Sequence, residues 1–380
     1  MTEVNPQWVD NDKQLTELCT FWLKQSAIAI DTEFMRSETF YPHIGLLQIA
    51  DNDGVHLIDP LKISDRSPLI KVLLESSIIK VIHSCSQDLA VFQHYLGILP
   101  EPIFDTQIAA AFIGHGMAIS YANLLKTLLG IDIPKQETRS NWLQRPLSDA
   151  QLHYAALDVA YLLPIYLQMQ TRLEQQRQLT WVESDCQQLL DKTRQSLEQS
   201  HYYTRIKSAW KLDCEELAIL KALCDWREQQ ARRRDVPRNR IAKDDLLWEL
   251  AVKKPQSDAE IQNFDKFYPQ TVDMYGDILV TLIKNVLNED DNNYPELLPR
   301  PLSKEQGQLI KRIKAEVKDI ASANQLPPEL LMSNKDYELL LRSGEKNTDY
   351  QLPESLKNWR RPLLEERLLA CLAEISHGQS

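Results

Sequence analysis

The sequence predicts a mixed α/β domain followed by two all-helical modules. Three observations lead there. Strand-like segments rich in Ile, Val and Leu cluster early, at 27–34, 44–51, 55–59 and 79–83. Helix-patterned segments follow and alternate with them, at 67–76, 86–96, 105–114, 119–129 and 148–174. Past residue 180 the strand signal ends, leaving amphipathic helical segments punctuated by DVPRNR, KKPQSD and PELLPRPLSKE. Crowded strands followed by β–α alternation imply a mixed sheet with helices packed on it. The expected domains are 1–178, 208–289 and 300–380, with the acidic, proline-bearing stretch NEDDNNYPELLPRP (288–301) as the second boundary.

Each element has a local reason. Ala27, Ile28, Ala29 and Ile30 read as a buried strand that ends in Asp31 and Glu33. Residues two apart on a strand share a face, so these two carboxylates point the same way from an apolar element. Segments 44–51 and 55–59 flank Asp51-Asn52-Asp53-Gly54, the clearest turn in the chain. Asp59-Pro60 reads as a strand-ending turn. Asp105-Thr106 opens a helix, which makes Asp105 its expected N-cap. In the segment 148–174, Tyr154 and Asp158 lie four residues apart and share a helix face.

Bulk properties narrow the function. At 380 residues, with 43% hydrophobic and 26% charged residues, the chain is an ordinary globular protein long enough for several cores. No segment approaches the ~18 uncharged apolar residues of a membrane span, and the N-terminus shows no signal-peptide pattern. The six cysteines are scattered without a CxxC pair or zinc spacing, as expected of free thiols in a reducing, cytoplasmic setting. A net charge of −11 argues against a generally basic coat, although a local basic track stays compatible with it.

The acids form a constellation. Asp31 and Glu33 end a strand, Asp88 opens the helical segment SQDLAVFQHYL, and Asp158 sits among alanines and leucines beside Tyr154. Taken singly, each has a bland reading as a surface or capping residue. Together, four carboxylates and a tyrosine suit hard divalent cations such as Mg²⁺ or Mn²⁺, which favour oxygen ligands. Two such ions would relieve the repulsion between Asp31 and Glu33 and clamp a phosphodiester.

The order D-T-E-F, H-S-x-S-x-D-L and Y-A-A-x-D-V resembles the three motifs of the DEDD exonuclease superfamily, in the branch with tyrosine in the third motif. TFYPHIGLLQIA, LIDPL, IFDTQIAAAF, SNWLQRPLS and YAALDVAYLLPIY are similar to the bacterial ribonuclease D family, and AILKALCDWREQQARRRDVPRNRIAKDDLLWELAVKKP resembles its helical HRDC module. Cys85, beside the second-motif acid, is a mild departure. The resemblance implies an RNase H-like α/β exonuclease domain with a mixed central sheet and two all-α HRDC-type modules. It implies a 3′→5′ exoribonuclease that trims tRNA precursors and other small RNAs to 5′-mononucleotides, with two Mg²⁺ or Mn²⁺ ions per site. Carried over by position, Asp31, Glu33, Asp88 and Asp158 are metal ligands, Asp31 touching both ions, and Tyr154 orients the attacking water. Its phenol is a poor base at neutral pH. No P-loop or nucleophile elbow is present, so no nucleotide cofactor or covalent intermediate is expected, and the protein is expected to be a monomer.

Basic residues supply the RNA-contact candidates. KQETRSNWLQRP (135–146) places Arg139, Trp142 and Arg145 in a loop before the third motif, a mix that can meet phosphates and stack a base. ARRRDVPRNR (231–240) holds five arginines, including Arg232, Arg233 and Arg234, and reads as a local RNA-backbone patch. His83 is read as a core residue or a supporter of the Asp88 region. A DNA exonuclease would use the same acids, and a catalytically weak RNA-binding protein would use the same helical modules. The whole-chain likeness and the intact set of acids favour an RNase.

Overall fold

The computed structural model describes residues 4–133, 140–198, 201–261, 264, 269–290, 293–346 and 350–377. Six strands form one sheet: β1 (Gln7–Val9), β2 (Ala27–Met35), β3 (His43–Ala50), β4 (Val55–Ile58), β5 (Ile79–Ile82) and β6 (Ile103–Asp105). Their order is β1-β4-β3-β2-β5-β6. β2, β3 and β4 are antiparallel neighbours, whereas β1, β5 and β6 add in parallel, so the sheet is mixed as expected. The two three-residue strands escaped the sequence reading. QWV and IFD are too short for a period of two to register, and their hydrogen bonds come from neighbours distant in sequence.

Two helical expectations change. A helix at Asp12–Trp22, capped by the Asn11 side chain on the Gln14 N–H, precedes the first expected strand. The long segment 148–174 is two helices, Asp149–Ala160 and Leu162–Gln175. Pro164 explains the break, because its ring opposes the carbonyl of Ala160 and it offers no N–H to that group.

The β2–β3 hairpin carries an irregularity at Glu33/Phe34, where the register steps from Glu33↔Leu46 to Phe34↔Ile44 and leaves Gly45 as the extra residue. A Cβ on Gly45 would come within 2.4 Å of the Trp142 carbonyl oxygen, so only glycine lets the segment before the Asp149–Ala160 helix lie against β3.

The chain divides into two compact units. The first comprises 1–35, 43–195 and 302–380, so the residues of the third expected module group with the α/β domain. Within it, Trp359 stacks on Trp181 of the helix Leu179–Glu198 at 4.6 Å and 9°. Arg360 meets Asp185 of that helix through two 2.6 Å bonds, both side chains being almost fully buried. The second unit comprises 36–42 and 196–301 and centres on the helix Cys214–Arg234. Phe40 enters its core, and the N–H groups of Phe40 and Tyr41 donate to one oxygen of Asp235. Among the described residues no helix is long and apolar enough to cross a membrane.

Candidate active site

Strand alternation puts Asp31 and Glu33 on one face of β2, and the Asp149–Ala160 helix packs across β2, β3 and β4. Its start is set by a capping box, with the Ser148 side chain accepting from the Gln151 N–H and the Gln151 side chain accepting from that of Ser148. From that start, the helical repeat turns Tyr154 and Asp158 to the same side. Carboxylate oxygens of Asp31, Glu33 and Asp158 lie within 4.8 Å of one another.

Asp88 arrives by another route, at the start of the helix Ser86–Leu96. It stands outside that close trio, its Oδ1 accepting from the Thr32 hydroxyl at 2.5 Å, yet its charge raises the pKa of each of the three. The turn before it is held by Asp105, whose carboxylate accepts from the N–H groups of Ser84 and Cys85 at 2.9 Å. The same carboxylate caps its own helix through Gln107 and Ile108, as the N-cap expectation stated. Ser84 adopts a left-handed φ of 60°, which those bonds stabilise. His83 meets the Thr106 hydroxyl at 2.9 Å and the Ile119 carbonyl at 3.2 Å, and burial holds its pKa below the usual histidine range. It is a satisfied interior residue.

Electrostatics define the site. Burial, followed by the charges of Asp88, Asp158 and Glu33, pushes Asp31 well above the carboxylate range. Burial and the charges of Asp158 and Asp88 take Glu33 up to about 9. Burial takes Asp158 to about 7 against the hydrogen bond from the Tyr154 hydroxyl, and Asp88 to about 6 against the Thr32 hydroxyl. Burial and the neighbouring acids push the Tyr154 phenol upward, so it stays protonated near neutrality. None of the four acids has a cationic side chain as partner among the described residues. Oxygens of one sign, half-buried to buried, crowded and unneutralised among the described residues, are a donor set that fits a hard divalent cation.

The expected RNA-contact residues divide. Arg145 is a correction: its Nε and Nη2 bind Asp59 at 2.9 and 2.7 Å, Nη2 also donates to Gly45 O at 2.6 Å, and Nη1 donates to the carbonyls of Trp142 and Gln144 at 2.9 Å. All five N–H donors are committed inside the fold. Trp142 is a second correction, since it is 3% exposed, packs 6.1 Å from the Tyr154 ring and has no face open for a base. Arg139 lies outside the described residues. Arg232 has its charge met by Glu228 at 2.8 Å and stands over Phe40, and Arg238 binds the same glutamate. Arg233 and Arg234 are exposed, Arg234 standing over the Tyr275 ring. Sequence reasoning missed Thr32, Asp59 as the partner of Arg145, and Gln48. Thr32 could have been noticed from its place inside D-T-E; the other two have no local signal.

Comparison with known proteins agrees with this geometry. A family model described as 3′-5′ exonuclease matches residues 6–174, one described as HRDC domain matches 216–283, and one described as Ribonuclease D, C-terminal HRDC domain matches 306–368. The chain is 40% identical over 366 residues to the ribonuclease D of Pseudomonas paraeruginosa, covering 96% of this chain and 97% of that one. Against the Escherichia coli ribonuclease D it is 34% identical, covering 98% and 99%. The crystal structure of E. coli RNase D, described as an exoribonuclease involved in structured RNA processing, superposes with a TM-score of 0.89 at 33% identity, covering 98% of this chain and 99% of that one.

Proposed function

The chain belongs to the ribonuclease D family and is a 3′→5′ exoribonuclease, and from that premise we propose that Asp31, Glu33, Asp88 and Asp158 hold two divalent cations, Mg²⁺ or Mn²⁺, at its catalytic centre. The observation that carries this reading is the trio of carboxylates within 4.8 Å, half-buried and, among the described residues, without cationic partners. When bound, the cations supply charge neutralisation and Lewis acidity at the scissile phosphate. The remaining work falls to the chain. Thr32 fixes the rotamer of Asp88 by donating to Oδ1. Asp158 and Tyr154 are joined through the phenol, whose proton stays on Oη near neutrality. Tyr154 therefore serves as a donor and holder of the attacking water, and not as the base that takes its proton.

The substrates we propose are the 3′ ends of tRNA precursors and other small RNAs, released as 5′-mononucleotides by a monomeric, cytoplasmic enzyme with no nucleotide cofactor. Its modules would be 1–178, 208–289 and 300–380. Arg233 and Arg234 are the proposed backbone contacts of the middle module, being exposed members of its basic segment, whereas the exposed Arg240 pairs with Glu38. The test is Asp31→Asn and Asp158→Asn, assayed on a short oligoribonucleotide in Mg²⁺ and titrated with Mn²⁺ by calorimetry. Loss of at least about a thousandfold in kcat is expected, because charge stabilisation is the main catalytic contribution. Wild-type turnover by either variant would refute the cation site.

A further inference from the structure

β3 holds one buried amide that the proposed mechanism does not use. Gln48 stands directly opposite Asp31 in the antiparallel β2–β3 pair. Directly opposed side chains project from the same face, with Cβ atoms about 4.5–5.5 Å apart. Gln48 therefore shares the face of Asp31 and Glu33, the one that Tyr154 and Asp158 approach from the covering helix. It is 0% exposed, and neither Nε2 nor Oε1 has a hydrogen-bond partner among the described residues. Its neighbours along the strand, Leu46, Leu47 and Ile49, are apolar and equally buried. A leucine or methionine in this place would avoid the penalty of two unpaired buried polar atoms. Such a group calls for a reason outside packing, and a carboxylate lies within reach of its side chain.

We propose that Gln48 is a positioning residue of the exonuclease centre. In the cation-loaded site its amide N–H donates to the Asp31 carboxylate, directly or through one buried water, and sets the orientation of that acid. The inference rests on the reading of Asp31 as a cation ligand. Groups that orient a ligand from behind are typically worth about 10–100-fold in metal affinity.

The test is Gln48→Met, which keeps the length of the side chain and removes its hydrogen bonds. Calorimetry should show Mn²⁺ binding weakened by about 10–100-fold. kcat on a short oligoribonucleotide should fall while KM stays unchanged, and the metal-free Tm should rise because the orphaned amide is gone. Asp158→Asn is measured alongside. If Asp158→Asn loses Mn²⁺ binding while Gln48→Met keeps the wild-type Kd and kcat, the amide is packing only and the inference falls alone. If both variants keep the wild-type Kd, the cation site itself is misassigned and the inference falls with it. Should Gln48→Met not fold, the side-chain amide resonances of Gln48 in the wild-type chain decide: a shift on adding Mg²⁺ supports the contact, and resonances that do not move overturn it.

Discussion

Arg145→Ala tests whether that arginine belongs to the fold or to the substrate. The guanidinium is the counter-charge of Asp59, a side chain only 3% exposed, and it also ties Gly45 of β3 to the carbonyls of Trp142 and Gln144. Truncation leaves Asp59 buried with a single N–H donor, that of Leu61 at 3.1 Å. Breaking a buried pair from one side costs about 3–5 kcal/mol, and the 22% exposure of the arginine side chain argues for the lower end, about 3 kcal/mol. Asp59→Asn in the same background removes the stranded charge and should recover about half of that loss, a coupling within the usual range for contacting residues. The assay is urea unfolding followed by tryptophan fluorescence for the wild type, both single variants and the double variant. It is paired with KM on a short oligoribonucleotide at a temperature where all four are folded. KM should change less than about threefold, because no donor of Arg145 is left to face a phosphate. Unfolding within about 0.5 kcal/mol of wild type, together with a KM raised about tenfold and a steeper effect at low salt, would show that the guanidinium serves RNA.

Other expectations can be checked separately. Tyr154→Phe keeps the ring packed near Trp142 and removes the hydroxyl, so kcat should fall while Mn²⁺ affinity and KM hold; collapse of metal affinity would make the tyrosine structural. The raised acids give the metal-free protein a pH slope of defined sign. Glu33 at about 9, Asp158 at about 7 and Asp88 at about 6 all sit above their unfolded values near ~4, so the folded state retains protons that the unfolded state has lost. Their contribution to stability is complete below the unfolded values and is lost as pH rises through 6 to 9. In EDTA the Tm should fall across that window, less steeply in Asp158→Asn, and Mg²⁺ should flatten it; equal slopes for the two proteins would contradict the assignment. Neutralising Arg233 and Arg234 together should weaken binding of a folded tRNA precursor and reduce its salt slope by about 2, leaving a short single strand unaffected. An unchanged salt slope would mark the pair as a solvated face.

The acids of the site are legible in the sequence because their placement follows local periods. Asp31 and Glu33 share a strand face by the period of two, and Tyr154 and Asp158 share a helix face by the turn of 3.6 residues. Asp105 announces its capping role by standing before a helix. What periods cannot encode is the identity of a distant partner. Arg145 looks like a phosphate ligand until Asp59, 86 residues earlier, takes it up, and Trp142 looks like a stacking platform until Gly45 lets its backbone close on β3. β1 and β6 exist only because β4 and β5 offer them hydrogen bonds. Arg232 and Arg238 both pair with a single glutamate, Glu228, four and ten residues earlier. The third helical module reads as a separate domain, but the Trp359–Trp181 stack and the buried Arg360–Asp185 pair join it to the α/β unit across more than 170 residues. Apolar and polar periodicity says which side of an element is buried; only the packed chain says against what, since ion pairs and ring stacks depend on positions that folding alone brings together.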